Sequence, residues 1–435
     1  MVEGPDGTFL APFLSASVEY SYPADGQINV PPVTDLVLRF TTPVDDPLLV
    51  EKLVLVDGDG NNVAIRSVRS VDGGRGIVAT PTQELSPGAD YSLTFDSVLG
   101  SGTNAIATPN ATGPEGIQFS TRPEATGPLS LTSVDDDFGI LELLPDGSNF
   151  EVMDFSTFRF LFTQPVDPES VEYGVNVRLL DANNNLVPAD VILKHQSLTI
   201  DPCTVALVAE CGSESDRLIA GEAYRLELTG VRPLNDDGTT GINYSLDFVP
   251  RDTTPTSILI QDIVDSENSE ISPLNEGLVN GVVLNSVLQG VTDLSQQTGT
   301  LNAELAYAVN FPGNQPVPLR IARGSTLMSS SLDVKINGNV PLLDAETGLP
   351  QETGSVIVTF ISDANGYLYP NPYTDDPEAQ RHIRLFMDVS MNTAAAQPNA
   401  SLSQDLMRVE LVGLAQVRNG LLEKGALDSL QDLPG

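Results

Sequence analysis

Phe40-Thr41-Thr42-Pro43-Val44-Asp45 returns as Phe162-Thr163-Gln164-Pro165-Val166-Asp167, and Leu85-Ser86-Pro87-Gly88-Ala89-Asp90-Tyr91 returns as Leu218-Ile219-Ala220-Gly221-Glu222-Ala223-Tyr224. The residues leading into each repeat alternate with the two-residue period of a strand. Leu36, Leu38 and Phe40 share one face, with Val37 and Arg39 opposite. Phe158, Phe160 and Phe162 share another, with Arg159 and Leu161 opposite. Tyr91, Leu93 and Phe95 are matched in the same way by Tyr224, Leu226 and Leu228. A repeat on the order of a hundred residues is too long for a solenoid unit and suits a β-sandwich domain. The spacing between copies widens from the Phe40/Phe162 pair to the Tyr91/Tyr224 pair, so the second copy carries extra residues between them. Both cysteines of the chain, Cys203 and Cys211, fall in that interval.

Working outward, the chain reads as an all-β protein: two tandem sandwiches followed by a third β-rich domain of sandwich or jelly-roll type. Residues 1–16 form an arm whose apolar run, Phe9 to Leu14, is expected to be one strand. The first module spans 17–122, the second 129–250 and the third 256–435. Arg122-Pro123-Glu124-Ala125-Thr126-Gly127-Pro128 and Arg251-Asp252-Thr253-Thr254-Pro255 read as linkers. In the third domain, Ile383, Leu385, Met387 and Val389 share one face of a strand, with Arg384, Phe386 and Asp388 on the other. Leu421 to Leu430 reads as a short helix or frayed tail.

The formal net charge is -38, and lysine is confined to Lys52, Lys194, Lys335 and Lys424. Such a surface repels phosphate backbones and anionic lipid, which excludes nucleic acid as a partner. No apolar run of about 18 residues is present, so no transmembrane helix is expected. Met1-Val2-Glu3-Gly4-Pro5-Asp6 has no signal-peptide character, so an exported form would have a trimmed or replaced leader. Cys203 and Cys211 lack the further ligands of a zinc site. They are expected to form a disulfide that closes a surface insertion, worth about 2.5 kcal/mol by loop entropy and implying an oxidising compartment.

Ser21-Tyr22-Pro23-Ala24-Asp25-Gly26, then Asn29-Val30-Pro31, then Leu38 to Asp45 and Leu85 to Tyr91 resemble bacterial immunoglobulin-like domains. The resemblance covers roughly residues 17–250. The second copy departs from the pattern at Ala220, where the family has proline, and around Val134 to Pro145. The resemblance implies sandwich modules acting as spacers, adhesin segments or appendages of surface proteins. On that basis the expectation is a non-catalytic scaffold or adhesion element, secreted or at a bacterial cell surface, with a lipid anchor as one mode of attachment. Its partners would be other surface proteins or further copies of itself. Leu-x-Pro-Gly-x-x-Tyr resembles a tyrosine corner, which makes Tyr91 and Tyr224 structural residues.

Catalytic groups are sparse. His195 and His382 are the two histidines and lie in different modules. No nucleophile elbow, phosphate loop, dinucleotide fingerprint or zinc signature occurs, and no enzyme is expected. Tryptophan is absent, which counts against sugar clefts with stacking platforms. Calcium is the one cofactor to weigh. Asp57, Asp59 and Asn61 place oxygen ligands at alternate positions, and Asp181, Asn183 and Asn185 do the same in the second module. Asn62 stands where an EF-hand needs glycine and Val68 where it needs glutamate, so hairpin turns are the competing reading. Two further ideas are calcium near the linkers, from Asp135-Asp136-Asp137 and Asp252, and strand donation by the arm to a neighbouring subunit.

Overall fold

The structure, a computed structural model, describes residues 2–3, 9–10, 18–30, 32, 34–44, 46–71, 74–95, 116–121, 137–148, 150–234, 241–264, 296–311, 315–332, 335–336, 340–371, 381–395, 401–418 and 421–428. The first linker, arm residues 11–16, Asp45, Asp135 and Asp136 lie outside the described residues. The fold is all-β. Two compact units are present: Met1–Glu124 with Asn371–His382, and Ala125–Pro370 with Ile383–Gly435.

In the first unit, one four-stranded sheet runs in the order Val18–Tyr22, Leu36–Phe40, Gly76–Pro81, Ile65–Val71. A five-stranded sheet runs Gln27–Val30, Ile117–Thr121, Asp90–Phe95, Leu53–Asp57, Asn62–Val63. Val18, Leu36, Leu38, Phe40, Leu55, Ile77, Leu93, Phe95 and Phe119 share one core, as the alternation requires. Gln27–Val30 pairs in parallel with Ile117–Thr121. In the arm, Val2–Glu3 pairs with Phe9–Leu10.

The second unit opens with the same strand order. Ile140–Leu144, Phe158–Phe162, Ser197–Pro202 and Ala189–Lys194 form one sheet, and Val177–Asp181, Tyr224–Val231 and Ile242–Phe248 the other. A parallel bridge from Met153 to Arg251 stands where the first copy has its parallel pair. The phenol oxygen of Tyr91 accepts the backbone N–H of Ser86 at 2.7 Å, and that of Tyr224 accepts the N–H of Ile219 at 3.0 Å. Both tyrosines therefore tie a strand to the connection before it. The copies diverge in that connection. It occupies residues 82–89 in the first and 203–223 in the second, so the extra length lies there.

From Ser257 onward the described strands form a nine-stranded sheet and a separate two-stranded pair, Lys335–Ile336 with Val340–Pro341. Val317–Ile321 with Thr326–Ser329, and Val356–Phe360 with Ala364–Tyr369, are two long interrupted strands paired in a common register. Counting each as one, the sheet is a meander. Ser257–Ile263, Gln297–Leu305, 317–329, 356–369, Arg381–Thr393, Ser403–Arg418 and Leu421–Asp428 neighbour one another in chain order. The expected terminal helix or tail is instead this last strand, whose register runs from Arg418/Leu421 to Val412/Asp428. Hairpin pairing with its neighbour satisfies backbone groups that a free tail would leave to water.

One face of the meander is apolar: Leu301, Leu305, Val317, Leu319, Ile321, Leu368, Leu385, Met387 and Val389 belong to one core. Met153 and Phe155 of the second sandwich enter that same core. The other face carries Glu304, Arg320, Asn365, Tyr367, Arg384 and Asp388, and it too is largely out of solvent. Strand Phe158–Phe162 is likewise buried on both faces.

Candidate functional site

Sequence alternation assigns Arg159 to the outer face of its sandwich and Asp388 to the polar face of its strand. Both residues are buried, with Arg159 2% exposed and Asp388 0%. The two faces meet. Arg159 Nε lies 3.3 Å from Asp388 Oδ2, Nη1 donates to Asn365 Oδ1 at 3.2 Å, and Nη2 donates to Ser362 Oγ at 3.0 Å and to the Asp363 carbonyl. Ser362 Oγ donates to Asp388 Oδ2 at 2.6 Å, and the Arg408 N–H donates to Asp388 Oδ1 at 2.7 Å.

Arg320 is the second centre. Its Nε and Nη2 both donate to Glu304 Oε2, at 3.1 and 2.7 Å. Nη1 donates to Asp363 Oδ2 at 3.2 Å and to the Asp216 carbonyl at 3.0 Å, and Nη2 also reaches the Ser213 carbonyl at 2.8 Å. Glu304 Oε1 accepts from Arg217, whose Nη1 bonds Asp154 Oδ1 at 3.1 Å and Thr253 Oγ1 at 2.8 Å. Arg217 and Arg320 both lie over the ring of Phe155, at 5.4 and 5.5 Å. Charge-assisted bonds of this kind are the strong class, because both partners have shed water.

Asp201 Oδ1 accepts the Thr157 hydroxyl at 2.6 Å, and Oδ2 accepts the Asp363 N–H at 3.1 Å and Arg323 Nη1 at 3.4 Å. Burial, with the Asp363 charge added, pushes the Asp201 carboxyl up to about 7. Burial raises Asp363 as well, against the pull of Arg320. Asp154, Asp201, Asp216, Glu304, Asp363 and Asp388 are the buried acids among the described residues, and four arginines, 159, 217, 320 and 323, meet them. Six carboxylates thus face four guanidiniums, and the charge of neighbouring Asp363 adds to burial in raising Asp201.

The inserted connection supplies the base of this layer. Cys203 and Cys211 are joined by a disulfide across a Cα–Cα distance of 5.2 Å. Asp216 ties the two ends of the loop together: Oδ1 accepts the Thr204 N–H at 2.7 Å, and Oδ2 accepts the Gly212 N–H at 2.7 Å. Gly212 has φ +84°, and a Cβ there would sit 2.8 Å from Asp363 Oδ1 and 2.9 Å from Arg323 Cγ. Only glycine combines that conformation with that approach. The sulfurs and Asp216 lie close enough to suggest a metal cluster, but the disulfide removes both thiolates as ligands.

The calcium candidates form two matched hairpin turns. Asp57 Oδ1 accepts the N–H groups of Asp59 (3.1 Å) and Asn61 (2.8 Å), and Asp181 Oδ1 accepts those of Asn183 and Asn185, both at 2.8 Å. Asn61 and Asn185 turn their amide N–H groups, not their oxygens, toward the aspartates. These bonds hold both carboxyls below the usual range, led by the backbone of Asn61 for Asp57 and the side chain of Asn185 for Asp181. The fourth residue of each turn, Gly60 at φ 83° and Asn184 at φ 60°, takes the left-handed conformation. That is why the sequence puts glycine and asparagine there. Asp252 caps its own turn through Thr254 at 2.9 Å. His195, at φ 51°, occupies the turn between Ala189–Lys194 and Ser197–Pro202, and burial depresses its pKa. His382 is 8% exposed, with its ring 5.8 Å from that of Tyr20.

Residues 15–121 match the family profile described as bacterial Ig-like domain. The first repeat is a bacterial Ig-like domain. Over 420 residues, 95% of the chain, the sequence is 46% identical to Alkane uptake protein B of Marinobacter nauticus. The chain spans 39% of that relative's length. Two solved structures illustrate the remaining matches. The surface layer protein SbsC, domains 1-6, aligns over 96% of this chain and 59% of its own at 11% identity and a TM-score of 0.21. An L,D-transpeptidase from Mycobacterium tuberculosis aligns over 48% and 75% at 12% identity and a TM-score of 0.16. Scores this low carry no structural argument. Among the described residues no helix is long and apolar enough to cross a membrane, which says nothing of membrane β-barrels.

Proposed function

We propose that the chain is a non-catalytic scaffold region of a surface protein that takes part in the uptake of alkanes. The observation that carries this reading is 46% identity over 95% of the chain to a protein named for alkane uptake. Geometry supports a mechanical part in it. Bonds cross from the second sandwich to the meander at Arg159–Asp388, Arg217–Glu304, Arg323–Asp201 and from the Asp363 N–H to Asp201, which supports a fixed register between the two sheets. A hydrolytic pair would instead need two carboxylates flanking a cleft that admits substrate. The Asp57 and Asp181 turns are closed by their own amides, which supports a role without calcium.

The test is genetic. Deleting the coding region in the source bacterium is expected to abolish or slow growth on a liquid alkane and leave growth on acetate unchanged. Equal growth of deletion and parent strains on the alkane would overturn the reading.

A further inference from the structure

We infer that the disulfide-stapled loop of the second sandwich is a hydrocarbon-contact element, whose apolar tip, Val205-Ala206-Leu207-Val208-Ala209, inserts into the surface of a liquid alkane phase. The inference rests on the alkane-uptake reading and assigns that role to a particular site. Leu207 and Val208 are 60% and 78% exposed, and Ala206 and Ala209 are exposed beside them. Yet the base of the loop is anchored at several points. The disulfide, the Asp216 carboxylate across Thr204 and Gly212, and the Arg320 bonds to the Ser213 and Asp216 carbonyls all hold it. An exposed apolar run on so acidic a chain, fixed by so many restraints, is preorganised for contact and spares the ordering cost of binding.

The equivalent connection of the Ig-like first copy, residues 82–89, has no such tip: its leucine, Leu85, is 2% exposed. The tip is therefore not a requirement of the fold. Its chemistry selects the occupant. An exposed run of aliphatic side chains suits a deformable apolar phase better than a bounded ligand. The stretch 203–216 contains Glu210, Glu214 and Asp216 and neither lysine nor arginine, which disfavours anionic phospholipid headgroups. Aromatic anchors for a headgroup boundary are also missing from it.

The experiment uses the purified 435-residue chain mixed with a hexadecane emulsion, and reads the protein depleted from water. Wild type is expected to adsorb. The double variant Leu207→Ser with Val208→Ser is expected to lose at least about tenfold in droplet affinity, with an unchanged thermal transition. Leu343→Ser with Leu349→Ser, at other exposed leucines, is expected to adsorb like wild type. The inference is overturned if wild type stays in water, if the loop variant adsorbs fully, or if both variants lose adsorption equally. Binding to phosphatidylcholine vesicles without binding to droplets would overturn it in favour of a bilayer. Loss of self-association in sedimentation, with adsorption intact, would overturn it in favour of a second copy. Growth of the deletion strain judges the uptake reading separately, since that strain can fail on alkane while the loop variant still adsorbs.

Discussion

The two sandwich copies share strand order, tyrosine tie and turn chemistry, yet they bury different things. Among the described residues of the first copy the buried polar residues are Ser21, Gln27 and Thr121, and a charged side chain enclosed there, Asp46, is met by Lys52. The second copy buries Asp154, Arg159, Asp201 and Asp216. The strand pairs Leu36–Phe40 and Phe158–Phe162 make the contrast local. Where the first copy places Val37, 5% exposed, the second places Arg159, 2% exposed and bonded to the meander. Arg159 and the stapled insertion are two of the differences through which this sandwich face meets the following sheet. The apolar contribution comes from Met153 and Phe155, which leave their own sandwich for the neighbouring core. The ionic layer sets alignment, since buried ion pairs add little net stability but are costly to break singly.

The largest expected effect comes from undoing that difference. Arg159→Val installs the first copy's residue and leaves Asp388 buried with its cation gone. The expected loss is about 3–5 kcal/mol in a denaturant titration. A loss under about 1 kcal/mol would mean the layer is hydrated and loosely held. Next is the insertion. Cys203→Ser with Cys211→Ser removes the staple across a sequence separation of 8 and is expected to cost about 2–3 kcal/mol. No change in midpoint would show that Asp216 alone holds the loop.

The acid excess predicts a pH dependence that the first copy should lack. Burial and the Asp363 charge push the Asp201 carboxyl up to about 7 in the folded protein, from 3.8 when exposed. Between those values the native state binds more protons than the unfolded chain, so this group makes stability fall as pH rises from about 4 through 7. The groups facing it are Asp363, Arg159, Arg323 and the Thr157 hydroxyl. Asp201→Asn is expected to flatten the slope measured by thermal melts from pH 4 to 8; an unaltered slope would place the titration elsewhere. The smallest effect probes what the copies share. Tyr91→Phe and Tyr224→Phe each delete one hydrogen bond to a backbone amide and should cost about 1 kcal/mol apiece. Unequal costs would mean that the two ties differ in context.

The repeat, its two-residue period and the tyrosine element were legible because a sandwich face must alternate and a crossover must be tied. The disulfide was legible from two cysteines alone in an elongated interval. The junction was not. Period-two alternation shows that Arg159 and Asp388 oppose their apolar neighbours, but not whether the opposing face meets water or another sheet. The acid-rich composition hid the buried acids among exposed ones. Asp201 and Glu304 sit in strands that carry no other mark in the sequence. The one available signal was charge on the back of strands whose front was already committed to a core, as at Arg384, Phe386 and Asp388. The final strand, Leu421–Asp428, was missed because a leucine-rich, turn-poor segment fits a helix as well as a hairpin arm when its partner is unknown.

The central claim is that the second sandwich and the meander form one cooperative body held in register by the arginine–carboxylate layer. Native-state hydrogen exchange on Phe160 and Leu226 of the sandwich, and on Leu319 and Leu385 of the meander, tests it directly. The account predicts a common opening free energy at all four amides, lowered together by Arg320→Ala. Two distinct opening energies in the wild type, or a variant that loosens one pair and leaves the other untouched, would contradict it.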